Sequence, residues 1–237
     1  MIGLLLPAVA GAAAVGTVAM GAYHPNSPLF GPVIGRGPPA GRRVYLTFDD
    51  GPNPTATEAI LDALAAAAVP AAFFMVGDHV RRFPALARRV ASGAGVRHEI
   101  GNHTEHHVKL HVAGPARIRR ELESAHRAIV DATGRRPRVF RAPHGYRNPF
   151  VGRAARRLGY RVFGWTFGVW DSDRPMPDEI RRRVRTKLRP GAIVLLHDGD
   201  GYDPAGDRRP TAHALPGIIA DARALGYEFG SLTELCP

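Results

Sequence analysis

Only one cysteine, Cys236, occurs in the 237 residues, so no intrachain disulfide can staple the fold. Lysine is almost missing too: Lys109 and Lys187 are the only two, and arginine supplies the rest of the 32 basic side chains. Against 21 acidic groups the net charge is +11. A basic surface suits nucleic acid, anionic lipid or an anionic cell-wall polymer. No DNA- or RNA-reading motif accompanies the charge, and the arginines are scattered over stretches such as 177–189, PDEIRRRVRTKLR. Nucleic acid is therefore not an expected partner. No G-x-G-x-x-G follows the first apolar run, which counts against a dinucleotide fold. No G-x-S-x-G elbow is present either, and Cys236 sits at the chain end, so a covalent Ser or Cys mechanism lacks its usual signature.

Charged side chains are also absent before Arg36. Residues 1–23, MIGLLLPAVAGAAAVGTVAMGAY, are almost wholly apolar. As a helix this stretch would reach about 35 Å, enough for a bilayer core of about 30 Å. The positive n-region of a secretory signal is missing, although Ala8-Val9-Ala10 and Ala12-Ala13-Ala14 have small-x-small form. The favoured reading is a membrane anchor, with a cleaved signal peptide or a buried helix as alternatives, and a membrane-anchored or secreted protein follows. Residues 24–41, rich in Pro and Gly, read as a linker or a wrapped lead-in segment.

From residue 42 to 237 the length and the 45% apolar content allow one domain with a full core. Seven short apolar runs alternate with amphipathic stretches: VYLTF, AAFFMV, HEIGN, VFRA, RVFGWTF, AIVLLH and YEFGSL. Alternating β and α predicts parallel strands with right-handed crossovers, in an open doubly wound sheet or a closed or incomplete barrel. Chemistry-bearing residues gather where predicted strands end. Asp49 and Asp50 follow the first, His103 and His107 the third, Arg141 and His144 the fourth, Asp171 the fifth, and His197 and Asp198 the sixth. In (β/α) barrels that rim carries the active site.

Two of these groups suggest a metal. His103 and His107, four residues apart in GNHTEHH, would share one side of a helical turn and one cation. His106 is the alternative partner. Two imidazoles and a carboxylate leave positions open for water and substrate, a hydrolytic zinc arrangement that also describes non-haem iron oxygenases. The paired aspartates of TFDDGPNP then acquire a purpose. One binds the cation, while its neighbour stays free as a general base toward metal-activated water. A turn at Gly51 and Pro52 would bring both into one cleft. His197 in LLHDG is the candidate to protonate the leaving group.

TFDDGP at 47–52, H-T-x-x-H at 103–107, R-A-P-H-G at 141–145 and LLHD at 195–198 resemble, in order, the motifs of the polysaccharide deacetylase family, the NodB-homology domain of carbohydrate esterase family 4. The resemblance spans roughly residues 42–232. It implies a distorted (β/α)7 barrel and metal-dependent removal of N- or O-acetyl groups from polymers such as chitin or peptidoglycan. An acetylated polysaccharide is the implied partner. The implied cofactor is a divalent metal, zinc first, with cobalt, manganese or nickel as alternatives. By position, Asp49 would be the general base, Asp50, His103 and His107 the metal ligands, Arg141 the residue orienting Asp49, and His197 the general acid. Leu195 would line the acetyl pocket, and the His144 backbone N–H would stabilise the oxyanion. Two departures stand out. His144 occupies a position where the family usually has an aromatic. In WTFGVWDSD, Gly168 and Ser172 replace an expected Asp and Trp, so Asp171 is left to pair with His197, and Trp170 is the candidate substitute for the pocket wall. The rival readings are a metal-dependent amidase of non-sugar substrates and a carbohydrate-binding pseudoenzyme.

Overall fold

The computed structural model describes residue 16 and residues 18–236. Eight parallel strands alternate with helices in the order β1 (Arg43–Asp49), α1 (Thr57–Ala66), β2 (Ala71–Met75), α2 (Gly77–Arg82), α3 (Pro84–Ser92) and β3 (Glu99–Asn102). There follow α4 (Pro115–Thr133), β4 (Val139–Phe140), α5 (Pro149–Arg157), β5 (Arg161–Val162), β6 (Phe167–Gly168), α6 (Pro177–Lys187), β7 (Ile193–His197), α7 (Arg209–Ala224) and β8 (Glu228–Phe229). The sheet runs β5-β4-β3-β2-β1-β7-β6, with β8 beside the start of β1.

This order dictates a curl. β5 and β6 lie at opposite ends of the sheet, yet only residues 163–166 join them, and the five steps from Val162 to Phe167 can span at most about 18 Å. The two edges must therefore approach each other, and a distorted barrel with an open seam results. Strand alternation then divides the apolar residues. Val44, Leu46 and Phe48 of β1 join Phe73, Met75, Val194 and Leu196 in the main core under the helices. Tyr45 shares the barrel interior with Ala72, Phe74, Val139, Phe163 and Ile193.

The structure departs from the sequence reading in two places, both inside predicted elements. The predicted strand 161–167 breaks in two, because its middle bonds elsewhere: Gly164 N donates to Ile34 O, and Thr166 N to Ile193 O. The amphipathic stretch after AAFFMV also divides, into α2 and α3 at Phe83-Pro84, where proline has no N–H to continue the first helix. Of the two readings of residues 24–41, linker or wrapped lead-in, the contacts agree with the second. Ile34 pairs with Phe163 and Arg36 with Ala192, so this segment fills the seam. Of the hydrophobic stretch 1–23, the first 15 residues and residue 17 lie outside the described residues. Among the described residues no helix is long and apolar enough to cross a membrane.

Candidate active site

A cavity of about 550 Å³ opens at the carboxyl ends of the strands, with Asp49, Asp50, His103, His107, Leu195 and His197 on its floor. The adjacent aspartates reach it by different routes. Asp49 follows Tyr45 and Thr47 in the inward-facing register of β1. Asp50 would face outward if the strand continued, but its φ of 76° turns the chain, a left-handed value uncommon outside glycine. The turn is held by the Asp50 N–H on Phe74 O, the Val76 N–H on Gly51 O, and His79 Nδ1 donating to Asp50 O at 2.7 Å.

His103 and His107 converge without the helical turn expected from their spacing. Residues 103–107 are a loop after β3, and Thr104 and His107 take φ of 70° and 52°. Their ring centroids are 5.1 Å apart. Asp50 Oδ1 lies 3.3 Å from His103 Nε2 and 3.1 Å from His107 Nε2. Burial would raise the Asp50 carboxyl, but the two imidazoles outweigh it and hold the group well below the carboxylate range.

These three side chains fit a metal. Their donor atoms lie within 4.8 Å of one another, and all three residues are buried. Asp50 Oδ1 is buried with no hydrogen-bond partner, a costly state unless a cation faces it. His103 Nδ1 meets the Arg141 carbonyl at 2.8 Å. A carbonyl only accepts, so Nδ1 carries the proton and Nε2 presents its lone pair to the cluster.

Asp49 is held apart from that set. Arg141, fully buried, donates through Nη1 to Asp49 Oδ1 at 2.7 Å and to Thr47 Oγ1 at 2.8 Å, and through Nη2 to Gly164 O at 2.7 Å. Its guanidinium lies 4.2 Å over the Phe74 ring. One carboxylate oxygen of Asp49 is thus clamped. The other, Oδ2, faces the metal ligands, 3.7 Å from His103 Nε2.

His197 lies on β7, directly beside Asp49 in the register. Its Nδ1 meets Asp171 Oδ1 at 2.9 Å, and its backbone N–H donates to Asp171 Oδ2 at 2.8 Å. Thr211 on α7 donates to the same Oδ2. Burial alone would lower the imidazole, but the Asp171 carboxylate overcomes it and lifts His197 to about 9. Asp198 faces away, accepting from Thr57 Oγ1 at 2.6 Å, and burial raises it to about 7. The departures flagged in the sequence have visible consequences. Gly168 has room, since an added Cβ would stand 3.5 Å from Leu195 Cδ2. Trp170, at φ 56°, lines the cavity while 69% exposed.

Apart from His144 and Trp170, the sequence reading missed the rim. Tyr202, on the loop after β7, hydrogen-bonds His144 Nε2 at 2.9 Å and stands edge-on to the His107 ring at 5.0 Å. His144 takes φ 58°, and burial together with His107 pushes its imidazole down to about 4. Arg208, buried, fixes this loop by donating to Gly199 O, Ser172 O and Asp200 Oδ2. Gly201 lies so close to His107 that any side chain there would collide with the ring. Tyr23, Pro25, Tyr146 and Trp165 complete the wall. None lies at a predicted strand end, so only aromatic residues in loops beside the motifs signalled them.

Known proteins resemble this chain over most of its length. The chain is 41% identical over 204 residues to a chitooligosaccharide deacetylase of Bradyrhizobium sp. (strain ANU 289), covering 82% of this chain and 90% of that one. It is 34% identical over 197 residues to a peptidoglycan-N-acetylglucosamine deacetylase of Bacillus cereus, covering 81% and 87%. Among solved structures, a carbohydrate esterase family 4 pseudoenzyme from Bacillus anthracis superposes with a TM-score of 0.77 at 31% identity, covering 86% of this chain and 68% of that one. The polysaccharide deacetylase profile matches residues 36–163, the stretch that carries Asp49, Asp50, His103, His107 and Arg141, and the chain belongs to the polysaccharide deacetylase family.

Proposed function

We propose that this enzyme hydrolyses the acetamido groups of an N-acetylglucosamine polymer, chitooligosaccharide or the peptidoglycan glycan, without a covalent intermediate. One observation carries the reading: a free carboxylate oxygen, Asp49 Oδ2, and a carboxylate-backed imidazole, His197, flank one metal-binding triad in one cleft. A pure binding module needs neither a clamped base nor a charged acid.

Asp50, His103 and His107 would hold the divalent cation, zinc by the two-imidazole, one-carboxylate donor set, with cobalt, manganese and nickel as alternatives. When bound, such an ion supplies Lewis acidity and lowers the pKa of water. The remaining steps belong to the chain. Asp49 Oδ2 takes a proton from the attacking water, and Arg141 keeps Asp49 aimed by occupying Oδ1. The His144 backbone N–H donates to the carbonyl oxygen as it gains charge. Leu195 and the exposed Trp170 border the space for the acetyl methyl group. His197, kept cationic by Asp171, gives its proton to the leaving nitrogen as the C–N bond breaks. Acetate and a free amine result.

Our reading of residues 1–23 as an anchor or signal narrows to the stretch before Ala22, since Ala22 and Tyr23 pack on the catalytic domain; it would place catalysis outside the cytoplasm, where such polymers occur. The deciding experiment is acetate release from chitooligosaccharides, peptidoglycan and acetylxylan, with and without added divalent metal. Metal-dependent release from the amino-sugar substrates is expected. Release from none of them, or full turnover by metal-free protein, overturns the proposal.

A further inference from the structure

The family profile begins at residue 36, yet residues before it build part of the cleft. Tyr23 and Pro25 line the cavity. Tyr23 packs against His111 at 4.9 Å and edge-on to Tyr146 at 5.1 Å, and Tyr146 in turn lies 5.4 Å from His144. Tyr23 is 53% exposed beside the catalytic opening.

This wall is fastened in two ways. Asn26 brackets the Trp165 backbone, donating to its carbonyl at 2.8 Å and accepting from its N–H at 3.2 Å. Arg147, almost fully buried, directs its guanidinium at Ser27 O, while its own N–H donates to Ala22 O. Among the described residues no carboxylate pairs with that cation. A buried guanidinium is costly unless its donors are satisfied, and here the acceptor comes from the N-terminal segment itself. Trp165 and Gly164, which the segment holds, also border Arg141, through ring contact and the Gly164 carbonyl. The segment is therefore continuous with the seat of the Asp49 clamp.

We propose that residues 22–36 form a fixed wall of the substrate cleft and that Tyr23 is a specificity-determining residue, stacking on a pyranose ring of the polymer next to the sugar being deacetylated. The inference rests on the polysaccharide reading above. An aromatic ring presents an apolar face that suits the C–H face of a sugar, and its hydroxyl end tolerates water. A smaller substrate that fills only the catalytic position would not reach it.

The test compares full-length wild type, Tyr23→Ala, Tyr23→Phe and Asn26→Ala on short and long chitooligosaccharides, with metal content and melting temperature measured alongside. For Tyr23→Ala, KM for the long oligomer should rise about tenfold, with kcat within about twofold of wild type. KM for the shortest cleaved oligomer, metal content and melting temperature should stay unchanged. Tyr23→Phe should behave as wild type, and Asn26→Ala, which loosens the wall, should raise KM in the same length-dependent way. An unmoved KM in Tyr23→Ala, or a fall in kcat equal for all lengths, overturns the stacking role while leaving the deacetylase reading intact. Failure of wild type to release acetate from any oligomer overturns that reading, and the stacking role with it.

Discussion

On the floor of the cleft, the candidate side chains are nearly all buried and leave strand ends: Asp49 at the end of β1 and Asp50 just after it, His103 after β3, Arg141 after β4, His197 at the end of β7. On the rim, Tyr23, Trp170 and Tyr202 are 53%, 69% and 66% exposed and come from the N-terminal segment and from loops. The floor is held by charge-assisted hydrogen bonds in a dry interior, where a lost partner leaves another charge stranded. On the rim, buried Arg208 and Arg147 tie down the supporting backbone, but the Tyr23 and Tyr202 side chains make only ring contacts and one neutral hydrogen bond at the water boundary, where water replaces a lost partner. Changes on the floor should therefore act on metal content and turnover, and changes on the rim on substrate affinity.

The largest effect is expected from Asp50→Asn, which removes the charge of the proposed ligand whose Oδ1 meets both imidazoles. Metal affinity should fall by more than the roughly 10–100-fold typical of outer-shell losses, and activity with it, as read by elemental analysis after dialysis and by acetate release. Full metal occupancy in this variant would break the assignment of Asp50 to the ligand set. Asp49→Asn comes next. Turnover should drop roughly 10²–10⁴-fold with metal retained. If Asp49→Asn loses metal as readily as Asp50→Asn, the two adjacent carboxylates do not divide the work.

Asp171→Asn should act through His197. With the carboxylate in place, His197 is raised to about 9 and stays charged across neutral pH. Without it the imidazole falls toward its ordinary value, so the alkaline limb of the pH–rate profile should move downward while metal content holds. The same pairing favours the folded state. Its contribution is fully present below the unfolded value of about 6.5 and is lost as pH rises through about 9. Melting temperatures of wild type and Asp171→Asn should accordingly differ more at pH 6 than at pH 10. Asp173→Asn, two residues along, is the control and should leave the limb in place. An unmoved limb in Asp171→Asn would remove that residue from proton transfer.

The smallest effect sharpens the contrast from the rim side. Tyr202→Phe deletes only the hydrogen bond to His144, a net loss of about 0.5–1.5 kcal/mol. KM should rise by no more than about tenfold, with metal content and the pH profile unchanged. A collapse of turnover instead would mean that Tyr202 belongs to the floor.

Part of the floor was legible in the chain, because strand ends put short motifs in fixed places. The spacing of His103 and His107 pointed to a shared cation, yet the reason assumed was a helical turn. The residues meet instead through a loop with two left-handed backbones at Thr104 and His107, geometry that residue spacing cannot encode. Asp171 was matched to His197 across 26 residues only by resemblance. What joins them is the approach of β6 to β7, with α7 bringing Thr211 to the same carboxylate. Tyr202 and Tyr23 carried no periodic or spacing signal, since they lie outside the strands and 179 positions apart.

By itself the sequence determined the alternation of apolar runs and amphipathic stretches, and with it parallel strands and a rim where carboxylates and imidazoles gather. Those properties are local: period-two and helical patterning, and the chemistry of each side chain, are written residue by residue. Tertiary structure alone decided where the sheet stops closing, that residues 24–41 fill the gap, and which aromatics line the cavity. The seam exists because a short link forces β5 and β6 together while the backbone groups between them bond to Ile34, Asn26 and Ile193. Such partners are chosen by three-dimensional proximity, and no pattern along the chain specifies them.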